Sequence, residues 1–243
     1  MFEISNPQIY ENIQILKFMN QLKTIFFPLL LLILLTPFSA YLDLTFANWS
    51  YQGNEFSTSP LLKFIFHYAI YPAWIVVGFS AFGLIGSYFY TPLTYSRRPF
   101  LYLLLVLAIG SGLIIHAILK DNWGRPRPRQ VEEFGGKQSF RAYYEPNLFN
   151  PVEPSKSFPC GHCSMGFYFF TFVFLGKYYR RPLLSFLGWG LAFGLGGALS
   201  FARMAQGGHF FSDVLISALI MWLTALIIYH FLFKDTNFER ADT

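Results

Sequence analysis

Charged residues are scarce in this 243-residue chain. They make up 13% of it, whereas soluble domains carry roughly 25%. Apolar residues account for 54% and aromatic residues for 21% of the sequence, and the mean hydropathy is +0.40. This composition excludes an ordinary soluble domain and predicts an integral membrane protein, with aromatic rings at the membrane interface.

Cysteine and acidic residues are also few. The two cysteines, Cys160 and Cys163, are too few for a fold built on a disulfide framework. Thirteen acidic residues face eighteen Lys and Arg, which gives a net charge of +5. This excess suits an anionic membrane surface or an anionic substrate. The basic residues lie in short clusters beside apolar segments, so a nucleic-acid partner is not indicated.

Long apolar runs dominate the rest of the chain. Because a membrane helix needs about 20 mainly apolar residues, six segments are predicted to span the membrane, the fourth being the shortest: 24–42, 62–87, 99–119, 161–178, 183–203 and 212–233. The expected fold is all-α, an integral membrane bundle of six transmembrane helices within a single membrane-embedded domain over residues 1–243. The six-helix core occupies 24–243, and residues 1–23 contain an amphipathic interfacial helix. The first run is expected to be retained, because Phe38 stands where a cleavage site needs a small residue.

Two short loops are purely basic and predict the orientation. Arg97 and Arg98 join the second and third spans, and Arg180 and Arg181 join the fourth and fifth. The positive-inside rule places both loops in the cytoplasm. The loops near 43–61, 120–160 and 204–211 then face outward, and both termini face inward.

Three polar clusters fall at the outward ends of the predicted helices, at 120–129, 159–164 and 203–213. Together they supply three cations, two histidines and one carboxylate: Lys120, Arg127, Arg203, His162, His209 and Asp213. Arg and Lys hold phosphoryl oxygens and stabilise transition-state charge. One histidine can attack phosphorus while the other protonates the leaving oxygen. The Gly161 amide opens a helix and favours a bound anion.

Other basic residues and one histidine have simpler interpretations. Arg125, Arg129, Lys137, Arg141 and Lys156 are interpreted as interfacial or lipid head-group contacts. His116, one turn before Lys120, is interpreted mainly as a packing residue.

The clusters resemble the three motifs of the type 2 phosphatidic acid phosphatase superfamily. The first motif is Lys, six residues, Arg-Pro, matched by Lys120 and Arg127; the second, Pro-Ser-Gly-His, is matched by residues 159–162. The third is Ser-Arg, five residues, His, three residues, Asp, matched at 202–213. The order and gaps fit from about residue 100 onward.

The resemblance implies a role for each matched residue. His209 would be the nucleophile that forms a phosphohistidine, supported by Asp213, and His162 would be the general acid. Four groups would hold the phosphate: Lys120, Arg127, Arg203 and the Gly161 amide. No metal and no cofactor are implied.

Two positions depart from the family motifs. Cys160 and Ala202 stand where the family has serine. A thiol is a weaker hydrogen-bond donor than a hydroxyl. Cys160 is expected to replace the phosphate-binding serine, with both Cys160 and Cys163 remaining thiols.

A narrower resemblance concerns residues 123–129 and 133–136. These stretches look like a bacterial subgroup that includes lipid A phosphatases acting at the periplasmic face of the inner membrane. This resemblance implies that location, with the bilayer and a phosphorylated membrane lipid as partners. Lipid A is the first candidate substrate; undecaprenyl pyrophosphate, phosphatidylglycerophosphate and phosphatidic acid remain open.

Two other functions stay open at this point. Residues 160–163 read Cys-Gly-His-Cys, as in disulfide isomerases, so a membrane thiol-disulfide oxidoreductase is the first alternative. A non-catalytic lipid-binding protein is the second. The sequence leaves the oligomeric state undetermined.

Overall fold

A computed structural model describes residues 23–149 and 155–233. The predicted interfacial helix therefore lies almost wholly outside the described residues. The described chain falls into two compact units that divide between Phe38 and Ser39. In the first unit, residues 23–35 form helix α1, followed by a 3-10 turn, Thr36–Phe38.

Among the described residues, the second unit consists of helices, one short hairpin and the mostly irregular stretches 121–149 and 155–160. Its helices are α2 (Ser39–Ser50), α3 (Pro60–Tyr68), α4 (Tyr71–Gly86), α5 (Arg97–Val106), α6 (Gly161–Phe167), α7 (Phe170–Tyr178), α8 (Pro182–Ala205) and α9 (Phe211–Phe233). A π-helix, Leu107–Lys120, continues α5, and 3-10 turns lie at Thr91–Ser96, Pro128–Gln130 and Glu132–Phe134. Pro60 and Pro182 begin α3 and α8, where a missing backbone N–H costs nothing.

Five helical stretches among the described residues are long and apolar enough to cross a membrane. They are Lys23–Ser50, Pro60–Gly86, Thr91–Lys120, Pro182–Ala205 and Phe211–Phe233. Many of their large apolar side chains are exposed, such as Phe79 and Phe82 of α4 and Phe186 of α8. Such side chains suit contact with acyl chains. The predicted all-α membrane bundle is confirmed.

The fourth predicted span differs from the other five. Residues 161–178 form two short helices, α6 and α7, separated at Tyr168 and Phe169. All residues of this stretch are buried except His162, Phe172 and Lys177. The segment is therefore covered by protein and lies at the centre of the second unit.

Small residues bring α8 close to this central segment. A Cβ on Gly166 of α6 would lie 2.3 Å from the backbone nitrogen of Gly196 in α8. A Cβ on Gly188 would lie 2.5 Å from the backbone nitrogen of Val173 in α7. Close backbone approach through small residues is the usual way that helices pack in membranes.

The hairpin lies between α2 and α3 and packs against the polar loops. Strands β1 (Tyr51–Gln52) and β2 (Glu55–Phe56) pair antiparallel, with Tyr51 opposite Phe56. The turn residues Gly53 and Asn54 both have positive φ, as a tight hairpin turn requires. The two aromatic rings pack against a small core formed by Ala47, Val131, Phe134 and Phe210. This core fixes the loop segments next to Arg127 and His209.

Candidate active site

His209 and Asp213 meet where the chain enters α9. His209 precedes the helix, Asp213 lies in its first turn, and both side chains are buried. Nδ1 of His209 lies 3.5 Å from Oδ2 of Asp213, slightly longer than a normal hydrogen bond. Because a carboxylate only accepts, this arrangement favours the tautomer with the proton on Nδ1. The lone pair is then on Nε2.

Burial keeps the His209 imidazole neutral. It is the main cause that lowers the pKa of His209 to about 3; Asp213 opposes this shift, and Lys120 and Arg203 add to it. A neutral imidazole at physiological pH has a nucleophilic lone pair available.

Three further groups hold the Asp213 carboxylate. Its Oδ2 accepts hydrogen bonds from the Ser157 hydroxyl at 2.6 Å and from the Phe210 backbone N–H at 2.9 Å. Its Oδ1 accepts one from Arg125 Nη1 at 2.5 Å. The carboxylate is therefore fixed on both oxygens before any substrate binds.

The interpretation of Arg125 as an interfacial residue is wrong. Its side chain is completely buried and lies between Asp213 and Asp43. Burial, the largest effect, would lower the pKa of Arg125, but the two carboxylates raise it above its usual value. Lys156, from the same predicted group, is partly exposed and forms an ion pair with Asp121 at 2.9 Å.

Three cations, Lys120, Arg127 and Arg203, lie close to one another near the His209–Asp213 pair. Lys120 at the end of the π-helix interacts electrostatically with Arg127 and Arg203. In the part of the chain that the structure describes, the Nε atoms of Arg127 and Arg203 are buried without a hydrogen-bond partner. Burial, with repulsion from Arg129, lowers the pKa of Arg127. A bound anion would relieve both the repulsion and the unpaired donors.

His162 and Gly161 lie at the start of α6, on the edge of this cluster. The His162 ring stacks on Phe66 of α3, with 4.3 Å between ring centroids, and the Arg203 guanidinium lies 4.7 Å above the same Phe66 ring. His116 is exposed, yet its ring packs against the start of α6, because a Cβ on Gly161 would lie 2.4 Å from its Nε2. Its Nδ1 donates to the Ser111 carbonyl at 2.7 Å, which fixes the ring.

The prediction that both cysteines remain thiols is wrong. Cys160 and Cys163 form a disulfide bond, and both are fully buried. Cys160 caps α6, because its Sγ accepts a hydrogen bond from the Cys163 backbone N–H at 3.2 Å. A disulfide sulfur carries no proton, so the Cys160 side chain cannot donate to phosphate as the family serine would. The i,i+3 spacing allowed this pairing.

Sequence reasoning missed Asp43, Ser157 and Phe66. Asp43 was predicted to begin an outer loop, whereas α2 continues to Ser50 and buries it. An acidic residue next to a membrane span is a signal that could have identified it. Phe66 and Ser157 carry no comparable signal, because aromatic and hydroxyl residues are common near such helix ends.

Comparison with known proteins places this geometry in a family. The model of the PAP2 superfamily matches residues 101–237, which include every predicted site residue. The chain belongs to the PAP2 superfamily. The predicted resemblance is confirmed.

Individual relatives are similar over shorter stretches. A protein named lipid A 4'-phosphatase from Francisella tularensis subsp. novicida is 34% identical over 156 residues, covering 64% of this chain and 68% of that protein. Proteins of the same name from Rhizobium leguminosarum and Rhizobium etli are each 30% identical over 139 residues, or 55% of this chain. The chain spans about half the length of the two Rhizobium proteins, 53% and 48%. No solved structure matches the chain significantly.

Proposed function

We propose that this lipid phosphatase hydrolyses a phosphate monoester of lipid A at the periplasmic face of the bacterial inner membrane. The main support is that two histidines, His162 and His209, lie in one polar cluster with three cations. The cations are Lys120, Arg127 and Arg203. The Francisella relative supports lipid A as the substrate. A metal is not needed in this proposal, because the three cations supply the charge that a metal would otherwise provide.

The proposed reaction has two steps. In the first, Nε2 of His209 attacks phosphorus, the bond from phosphorus to the lipid oxygen breaks, and His162 gives that oxygen a proton. In the second, water attacks phosphorus while His162 takes a proton from that water, the bond from phosphorus to Nε2 of His209 breaks, and inorganic phosphate leaves. Asp213 stabilises the positive charge that develops on the His209 ring. The cations and the Gly161 amide hold the phosphoryl oxygens.

Both alternatives from the sequence are less well supported. A thiol oxidoreductase must expose its cysteines to a partner, but Cys160 and Cys163 are fully buried. A lipid-binding protein needs an anion site but has no use for a buried His209 beside a fixed carboxylate.

A panel of phosphorylated lipids tests the proposal. Purified protein is assayed for phosphate release from lipid A, undecaprenyl pyrophosphate, phosphatidylglycerophosphate and phosphatidic acid, with and without a chelator. Lipid A should be hydrolysed fastest, and the chelator should have no effect. His209→Ala should abolish release. His230→Ala is the matched control and should not, because His230 lies near the far end of α9. Preference for another lipid would refute the substrate, and a chelator-sensitive rate restored by a divalent ion would refute the mechanism.

A further inference from the structure

Asp43 lies in α2, far outside the stretch 101–237 that the PAP2 superfamily model matches. Its carboxylate is fully buried. Oδ2 accepts a hydrogen bond from Arg125 Nη2 at 2.7 Å and from the Ser212 hydroxyl at 2.7 Å. Oδ1 accepts one from the Ser212 backbone N–H at 2.7 Å. Asp43 therefore bonds to Ser212, which precedes Asp213 in the sequence, and to Arg125, which forms an ion pair with Asp213.

Arg125 is the link between the two carboxylates. Its Nη1 bonds to Asp213 while its Nη2 bonds to Asp43, so one guanidinium serves two acids. Its Nε donates to the Arg141 carbonyl at 2.9 Å, and its Cζ lies 4.5 Å above the Phe210 ring. Its position is thus fixed from four sides.

The charge balance of this trio bears directly on His209. Asp213 and Arg125 alone would be neutral, and a neutral pair would stabilise a positive imidazole only weakly. Asp43 adds a second negative charge, so the buried trio carries a net charge of about −1 beside His209. Without Asp43, the buried Arg125 would have Asp213 as its one carboxylate partner and would offset more of the negative potential that Asp213 exerts at His209.

We propose that Asp43 is a positioning residue of this site, which holds Arg125 and so leaves the Asp213 carboxylate oriented and charged for His209. This inference rests on the proposed phosphohistidine chemistry. Asp43 acts only through Arg125 and Ser212 and does not touch the phosphate. It follows that α2, outside the matched family region, is part of the catalytic unit.

Asp43→Asn tests the inference, since it keeps the shape of the side chain and removes its charge. Turnover should fall at least about tenfold, the size of effect usual for partners that orient a functional histidine. The inhibition constant of inorganic phosphate, which the three cations hold without a bond to His209, should stay within about twofold, because Lys120, Arg127 and Arg203 are unchanged. A merely structural role would move both quantities or neither, and either result would overturn the proposal.

Ser212→Ala is the second variant, for the case in which Asp43→Asn does not fold. It removes the hydrogen bond that the Ser212 hydroxyl donates to Asp43 and the one that it accepts from Arg125 Nη1, and it leaves every charge in place. A lower turnover with unchanged inhibition by inorganic phosphate would support the proposal, and unchanged turnover would overturn it. A wild-type protein that releases no phosphate from any lipid refutes the proposed function and this inference together. Active wild type with an equally active Asp43→Asn variant refutes the inference alone.

Discussion

The Arg203 side chain packs directly against Gly208, which has no Cβ. A Cβ on Gly208 would lie 2.4 Å from Nη2 of Arg203. The guanidinium is held on its other sides by Gln206, whose Oε1 accepts from Nη1 at 2.9 Å, and by the Phe66 ring. Since the neighbouring groups already fix the guanidinium, it has little room to move away from a larger residue.

Gly208→Ala is therefore expected to displace Arg203 and to lower kcat/KM about tenfold, as loss of one charged hydrogen bond to a transition state does. Gly194→Ala in α8 is the matched control, because a Cβ there meets nothing within 4 Å. The initial rate of phosphate release is measured for both variants and for the wild type. Equal rates for the two would show that Arg203 does not hold the phosphate in its present position.

Single residues also show the limit of what the sequence could predict. Motif spacing predicted a cluster of Lys120, Arg203 and His209, and the structure brings these residues together. The link from Arg125 to Asp43 joins positions 82 apart in sequence. Nothing in the local pattern of either residue indicates such a partner, because only the packing of α2 beside α9 brings them together.

The start of α6 contains Cys160, one of the two positions at which the chain departs from the family motifs. The disulfide closes the turn that presents Gly161 and His162, and Cys160 also caps the helix. Spacing alone allowed either a thiol pair or a disulfide, since it fixes the distance between two residues but not their oxidation state.

A variant with both Cys160→Ser and Cys163→Ser should keep phosphate release close to the wild-type rate. Serine is a favoured helix cap, so replacing the Cys160 cap should cost less than about 1 kcal/mol of stability. Thermal unfolding in detergent and the lipid phosphate assay give the two readouts, with Cys163→Ser alone as the control. A folded double variant without activity would give the cysteines a role of their own and would favour the oxidoreductase alternative.

Hydropathy predicted the spans that face lipid better than the one that faces protein. Residues 161–178 are as apolar as a membrane helix, yet they break at Tyr168, whose hydroxyl donates to the Leu103 carbonyl at 3.1 Å. Neighbouring helices surround this segment. Hydropathy cannot distinguish burial in protein from burial in lipid, so the break was not predictable.

The whole molecule should be oriented with its site away from the cytoplasm, as the basic loops predict. In the cysteine-free variant, Tyr95→Cys and Phe149→Cys provide one probe for each side. Both positions are highly exposed, at 88% and 91%. A membrane-impermeant maleimide applied to spheroplasts should label Phe149→Cys but not Tyr95→Cys. Labelling of Tyr95→Cys alone would mean that the site faces the cytoplasm.

The phosphoryl group is expected to pass from the lipid to His209, and trapping the phosphohistidine shows whether it does. Protein mixed with lipid A labelled with ³²P in its phosphate groups is quenched in alkali within one turnover and then digested. We expect a label that is stable in base and labile in acid on the peptide that contains His209, and no label in His209→Ala. A label on another residue, or phosphate release from lipid A without any labelled protein at any time sampled, would contradict it.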